Sequence, residues 1–261
     1  MLAVGRAPIT GARPLRLSDT RRPRHGKDDV TLSMFRNVYE SAWYQPIFFW
    51  LAGIALLVAV TRRLPFLYAY LVAFTLEILA DVTLTGAGSP VPANGRLAGA
   101  LGLIFIVLGD ARYFVLIARA RSGALTARAG LVALGLALIV PALSYVAQSA
   151  FPSALSNARV LYLVYELMFV VVAVVMRAWI ARGEWPREAD PVGRRTALLA
   201  THFEIAQYGL WAMADVVILS GHDAGYALRL VPNAMYYALF LPFVAWAAPR
   251  ALREPWRESR A

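Results

Sequence analysis

The feature that most constrains this chain is a series of seven apolar segments, each long enough to cross a membrane as a helix. About 20 apolar residues span the hydrocarbon core of a bilayer. With 59% hydrophobic and 16% charged residues, the chain lies well below the roughly 25% charged content of soluble domains. The sequence therefore predicts an all-α, polytopic membrane protein with seven transmembrane helices. The predicted spans cover residues 44–61, 64–85, 97–118, 130–150, 159–180, 197–219 and 227–248.

The placement of arginine predicts the orientation of these spans, because Lys and Arg accumulate in cytoplasmic loops. Fourteen arginines lie in the connections and the tail on one side, whereas the connecting loops of the opposite side hold Arg96, Arg159 and Arg229. We therefore expect the N-terminus outside and residues 250–261 as a basic cytoplasmic tail. Topology also accounts for the net charge of +10, which in a soluble protein would suggest nucleic acid. We expect membrane lipids as partners and no nucleic acid.

Residues 1–40 form a basic N-terminal segment that we separate from the transmembrane domain at 41–249. The first 33 residues carry seven basic residues and prolines but no apolar core, so they are not a signal peptide. Three interpretations stay open: a disordered cytoplasmic tail that would invert the topology or hide an eighth span, a translation start at Met34, or a tail bound to anionic lipid. We favour the start at Met34, which leaves a short leader that is easily translocated.

Two aspartates occupy matching positions in a sequence repeat. Ala-Asp-Val occurs at 80–82 and at 214–216, in the second and sixth predicted spans. The following spans carry a second match, between residues 110–114 and residues 233–237. Ala and Val are frequent enough for the first match to arise by chance, but two matches in the same order favour a 3+1+3 arrangement with an axis along the membrane normal.

The depth of the polar residues predicts a site in the outer part of the bilayer. At a rise of 1.5 Å per residue, Asp81 lies about 7 Å from the outer end of its span, and Asp215 has a matching depth. An ionisable group inside a span is a functional-site hypothesis by default, so Asp81 and Asp215 are our catalytic candidates. The supporting or binding candidates are Glu77, Asp110, Tyr113, Glu166, Trp211, Asn233, Tyr236 and Tyr237.

A polar stripe follows one face of the sixth predicted span. Its members, at helical spacing, are Glu204, Gln207, Tyr208, Trp211 and Asp215. Such a stripe borders a cavity or forms an interhelical hydrogen-bond network, and for Gln207 and Tyr208 we expect the network.

Arg112 lies two residues after Asp110, about 200° round the same helix, so the two side chains point in different directions. Its long side chain either extends toward the cytoplasm or meets a carboxylate of a neighbouring helix, for which Glu77 is a candidate.

The residue types restrict the chemistry of the site. The chain has no cysteine, which excludes disulfides, thiolate metal sites and cysteine nucleophiles. Its three histidines are far apart in the sequence and argue against a histidine-built zinc site. We predict no metal and no cofactor. Carboxylates and hydroxyls remain, which permit general acid and base catalysis or a proton relay, and sequence spacing does not choose between them.

Two family resemblances follow from these residues. Ala-Arg-Tyr at 111–113, in the third of seven helices with an outside N-terminus, is similar to a tripeptide of microbial rhodopsins. Retinal attaches to a lysine in the seventh helix of that family, and the only lysine here is Lys27. The resemblance therefore excludes a retinal-binding rhodopsin and leaves open a relative without the lysine that binds another ligand.

The two Asp-bearing helices resemble the YhhN family of membrane lysoplasmalogenases. Residues 79–84 resemble its first Asp helix, residues 214–217 its second Asp motif, and residues 235–239 its Tyr-rich last helix. Alanine precedes each aspartate and Gln45 replaces the entry lysine, which are departures from the family pattern. The resemblance implies hydrolysis of the vinyl ether bond of a lysolipid, with Asp81 and Asp215 as acid and base.

Two other functions remain open. The first is a non-enzymatic seven-helix transporter or receptor for a small molecule, and the second is a scaffold whose polar residues only pack the helices. The Arg-rich and Ala-rich composition suggests a bacterial gene of high GC content, so we expect the chain in a bacterial cytoplasmic membrane.

Overall fold

The structure of the protein, a computed structural model, describes residues 34–39, 65–86, 89–92, 95–122, 125–182 and 191–247. The first predicted span, at 44–61, and the predicted tail at 250–261 lie outside these residues. All regular structure among the described residues is helical, which confirms the prediction that the protein is all-α. The elements are α1 (34–39), α2 (Pro65–Thr85), α3 (Arg96–Ser122), α4 (Ala127–Ala137), α5 (Ile139–Ala150), α6 (Ala158–Ala181), α7 (Pro191–Leu219), α8 (Ala224–Ala234), a π-helix (Met235–Leu239) and α9 (Phe240–Ala247).

Four helical stretches among the described residues are long and apolar enough to cross a membrane. They are Arg96–Ser122, Ala127–Ala150, Ala158–Ala181 and Ala224–Ala247. These stretches coincide with the third, fourth, fifth and seventh predicted spans and indicate a membrane protein. Helices α2 and α7 occupy the second and sixth predicted spans without being among the four. The fourth span is divided at Leu138, because Pro141 has no N–H to donate to the carbonyl of Ala137.

Helices α3 and α7 are central to the bundle. α3 packs against α2, α4 and α7, while α7 packs against α6, α8, α3 and α9. In the apolar window of α3, 56% of the residues are buried, against 17% in that of α6. The outward face of α6, with Val171 and Val175, is exposed and suited to contact lipid, whereas polar groups on the inner faces of α3 and α7 lie inside the protein.

The last helical stretch is irregular in its middle. Pro232 lies inside α8 and lacks the N–H of a regular helical residue. The π-helix begins at Met235, and its wide turn includes Tyr236 and Tyr237. Such short π segments occur frequently at functional sites. The Tyr236 ring packs closely on α3 at Gly109, where an added Cβ would collide with the tyrosine hydroxyl.

Candidate binding site inside the helix bundle

Asp215 belongs to a buried group of ion pairs, which we call the Arg229 cluster (Arg229, Arg159, Asp215 and Glu166). The Nη1 atom of Arg229 contacts Oδ1 of Asp215 and lies 3.3 Å from Oε1 of Glu166. Arg159 lies 3.3 Å from the same Asp215 oxygen. The cluster thus brings together two guanidinium groups and two carboxylates from α6, α7 and α8, and their formal charges cancel.

Tyr39 of α1 extends the Arg229 cluster. Nε of Arg229 donates a hydrogen bond of 2.9 Å to the Tyr39 hydroxyl, and the Arg159 guanidinium lies 5.7 Å from the centre of the Tyr39 ring. Burial raises the pKa of this hydroxyl, but the charges of Arg229 and Arg159 outweigh burial and lower the pKa below its usual value. The two arginines therefore attach α1 to α6 and α8.

Arg229 was missed as a site residue, because the arginine count assigned it to an outer connecting loop. That assignment is wrong: Arg229 lies inside α8 and is buried. Helix α8 begins at Ala224, so Arg229 is already in its second turn and points at carboxylates of two neighbouring helices. Its position four residues before Asn233, on the same helical face, is the sequence signal that would have identified it.

Asp81 has partners different from those of Asp215. Its Oδ1 accepts a hydrogen bond of 2.7 Å from Thr85 one turn later, and the Tyr237 hydroxyl of the π-helix also bonds to it. No hydrogen bond or ion pair joins Asp81 to Asp215 among the described residues, and the two share no partner. The proposed acid and base therefore stand in unlike surroundings, Asp81 with hydroxyl groups and Asp215 with two arginines.

Asp110 links three helices. From the middle of α3, it accepts a short hydrogen bond from the Tyr165 hydroxyl of α6 and one of 2.5 Å from the Tyr208 hydroxyl of α7. The expected interhelical role of Tyr208 is thereby confirmed. Tyr165 was missed, because nothing in its spacing distinguishes it from the other aromatic residues of the spans.

Arg112 is fully buried, so its side chain does not extend toward an aqueous surface. Nη1 donates a hydrogen bond of 2.8 Å to the Tyr236 carbonyl in the π-helix. The guanidinium carbon lies 4.0 Å from the ring centre of Tyr236 and 4.6 Å from that of Phe240. These contacts hold the guanidinium in one orientation.

A second set of buried polar groups lies on α2, α3 and α7, where α3 packs against the other two helices, and we call it the central polar site (Arg112, Glu77, Asp110, Glu204 and Gln207). The charge of Arg112 interacts with the carboxyl groups of Glu77, Asp110 and Glu204. However, Nε and Nη2 of Arg112, both oxygens of Glu77 and both polar atoms of the Gln207 amide have no hydrogen-bond partner among the described residues. The expectation of an interhelical hydrogen bond from Gln207 is therefore wrong.

The other candidates hold the helices around these groups. Trp211 donates a hydrogen bond of 2.6 Å from Nε1 to Oδ1 of Asn233, which joins α7 to α8. The Tyr113 hydroxyl lies 2.9 Å from Oγ1 of Thr201 and joins α3 to α7. The Tyr236 ring packs against those of Trp211 and Tyr237. Apart from the contact between Tyr236 and Tyr237, which are neighbours in the π-helix, these contacts are between helices.

The described residues contain no group of three or more His, Asp or Glu residues placed to hold a metal ion. No family model, curated protein or solved structure matches the chain.

Proposed function

We propose that the chain is a seven-helix protein of a bacterial cytoplasmic membrane that binds a small polar molecule at the central polar site, as a transporter or receptor. In this proposal the N-terminus lies outside and the C-terminal tail in the cytoplasm. The single observation that carries the proposal is the group of unpartnered polar atoms on Arg112, Glu77 and Gln207.

Buried polar groups are almost always hydrogen-bonded in folded proteins, because an unpaired buried donor or acceptor costs about 1–3 kcal/mol. In the Arg229 cluster, Oε2 of Glu166 and Oδ2 of Asp215 also lack a partner among the described residues, but the other oxygen of each carboxylate is paired with Arg229. In the central polar site, neither oxygen of Glu77 and neither polar atom of the Gln207 amide has a partner within the described part of the chain. The unpartnered atoms of the central polar site come from α2, α3 and α7, which belong to both triplets of the proposed 3+1+3 arrangement. A site between two repeats is where transporters of this kind bind their substrates.

Gln207→Leu tests this proposal. Because the amide has no partner, we expect the ligand-free variant to be as stable as the wild type or more stable, whereas a ligand that uses the amide should no longer bind. The measurement is the apparent Tm of the purified full chain in a panel of anionic, cationic, zwitterionic and neutral small solutes. A solute at about 100 times its Kd adds about 2.7 kcal/mol to the free energy of unfolding.

Gln148→Leu is the matched control, since Gln148 is partly exposed on α5, away from the central polar site. It should respond to the panel as the wild type does. The proposal fails if no solute stabilises the wild type, or if Gln207→Leu destabilises the ligand-free protein as the loss of a structural hydrogen bond would.

A second candidate function is hydrolysis of a lysolipid drawn from the membrane, as the YhhN resemblance implies. It is supported by the unlike surroundings of Asp81 and Asp215, because an acid and a base divide their roles when their environments differ. Here Asp81 would activate water while Asp215 protonates the leaving group, or the reverse.

The hydrolase proposal predicts that Asp81→Asn abolishes turnover of a lysoplasmalogen in proteoliposomes while the variant is still recovered folded. Asn keeps the shape and a hydrogen bond from Thr85 but cannot take up a proton, so a loss of about 10²-fold or more is expected for a general base. Asp223→Asn, at a partly exposed position, is the control. Equal turnover by the wild type and Asp81→Asn contradicts the proposal.

A further inference from the structure

Three parts of the Arg112 guanidinium are distinguished by their contacts. Nη1 donates a hydrogen bond to the Tyr236 carbonyl, and the planar face of the guanidinium lies against the rings of Tyr236 and Phe240. The two remaining nitrogens, Nε and Nη2, have no partner. They form one edge of the guanidinium, whose parallel N–H bonds match the two oxygens of a carboxylate. Arg112 therefore presents a fixed, bidentate edge.

The charges around Arg112 restrict what binds there. Four carboxyl groups, from Glu77, Asp81, Glu204 and Asp110, interact with its single positive charge. An anion bound at Arg112 alone would leave both oxygens of Glu77 without a partner, and a cation bound at Glu77 alone would leave Nε and Nη2 of Arg112 without one. A molecule with one charge of each sign satisfies both parts of the site.

The carboxyl groups differ in their availability. Asp110 already accepts hydrogen bonds from Tyr165 and Tyr208, whereas neither oxygen of Glu77 has a partner. Gln207, three residues after Glu204 on one face of α7, adds a free donor and a free acceptor. Glu77 is thus the unoccupied acceptor for a ligand cation, and Gln207 can bond to either end.

From these contacts we infer that the ligand of the central polar site is a small zwitterion of the α-amino acid class. Its carboxylate binds the Nε and Nη2 edge of Arg112, and its ammonium group lies at Glu77. This inference rests on the proposed binding function and names the ligand class of the same site.

The test uses the full chain in lipid nanodiscs, with each standard L-amino acid added in turn at millimolar concentration and the apparent Tm as readout. For the amino acid with the largest shift, two analogues follow, one without the ammonium group and one without the carboxylate. We expect the intact amino acid to stabilise the protein and both analogues to bind roughly tenfold or more weakly, because each loses hydrogen bonds to a charged group.

Two charge-specific variants assign the ends of the ligand. Arg112→Lys keeps the positive charge but not the bidentate edge, so it should weaken binding of the amino acid while leaving the affinity for the analogue without a carboxylate unchanged. Glu77→Gln should weaken binding of the amino acid and leave the affinity for the analogue without an ammonium group unchanged. Each variant is thus controlled by a ligand that lacks the group it recognises.

The outcomes separate this inference from the proposed function. If anions alone or cations alone stabilise the wild type and Gln207→Leu removes that effect, the inferred ligand class is wrong. The proposed binding function of the central polar site then still stands. If no solute binds and Arg112 and Glu77 show coupled losses of stability on substitution, the two side chains pair with each other and both proposals are overturned.

Discussion

Arg229→Gln is expected to lower the free energy of unfolding by about 3–5 kcal/mol, the usual cost of removing one partner from a buried ion pair. Arg229 contacts both Asp215 and Glu166, and the Asp215 side chain is fully buried. Without Arg229, two carboxylates share Arg159, which lies against Asp215. The variant and the wild type would be compared by denaturant or SDS titration in the same mixed micelles.

The double variant Arg229→Gln/Asp215→Asn identifies the cause of this loss. If the cost comes from carboxylates left without a cation, neutralising Asp215 should recover part of the stability, and a double-mutant cycle measures how much. Arg96→Gln is the matched control, because Arg96 is exposed at the start of α3. If Arg96→Gln and Arg229→Gln lower the free energy of unfolding by the same small amount, the ion pairs of Arg229 do not stabilise the protein and the prediction is wrong.

The helices could be predicted well from the sequence. Inside a bilayer the backbone N–H and C=O groups of an apolar segment must bond to each other, and a helix of fixed length achieves this. The described helix at Ala158–Ala181 differs by one residue at each end from the predicted span at 159–180. The division of the fourth span at Leu138 and the π-helix at Met235–Leu239 were not predicted, because they depend on how a proline is accommodated by neighbouring helices.

The polar residues of the site could be listed from the sequence, but their pairing could not. Depth and periodicity identified Asp215 and Glu166, yet Arg229, which contacts both, was assigned to a loop. The stripe on α7 was recognised, but the partners of its members depend on which residues face them from α3. Consequently the Tyr208 hydroxyl donates a hydrogen bond to Asp110 while the Gln207 amide has no partner among the described residues, although both residues belong to the same stripe on α7.

Asp110→Ala is expected to lower the free energy of unfolding by about 2–4 kcal/mol, because it leaves two buried phenol donors without an acceptor. Tyr165 and Tyr208 reach Asp110 from α6 and α7, so the carboxylate connects α3 to both. Asp110→Asn should cost less, since its amide oxygen still accepts one of the two bonds. The measurement is the same titration in mixed micelles.

Tyr208→Phe, made in the wild type and in Asp110→Ala, tests whether the loss of stability in Asp110→Ala comes from these hydrogen bonds. In the wild type the substitution should cost on the order of 1 kcal/mol, the scale of interhelical hydrogen bonds in membranes. In Asp110→Ala it should cost nothing or stabilise the protein, because it removes a donor that has already lost its acceptor. The stacking of the aromatic ring at position 208 on Phe169, with ring centres 4.0 Å apart, is kept in Tyr208→Phe, so the substitution tests the hydroxyl alone. A cost that is the same in both backgrounds would show that the hydroxyl of Tyr208 stabilises the bundle without its hydrogen bond to Asp110, which contradicts the prediction.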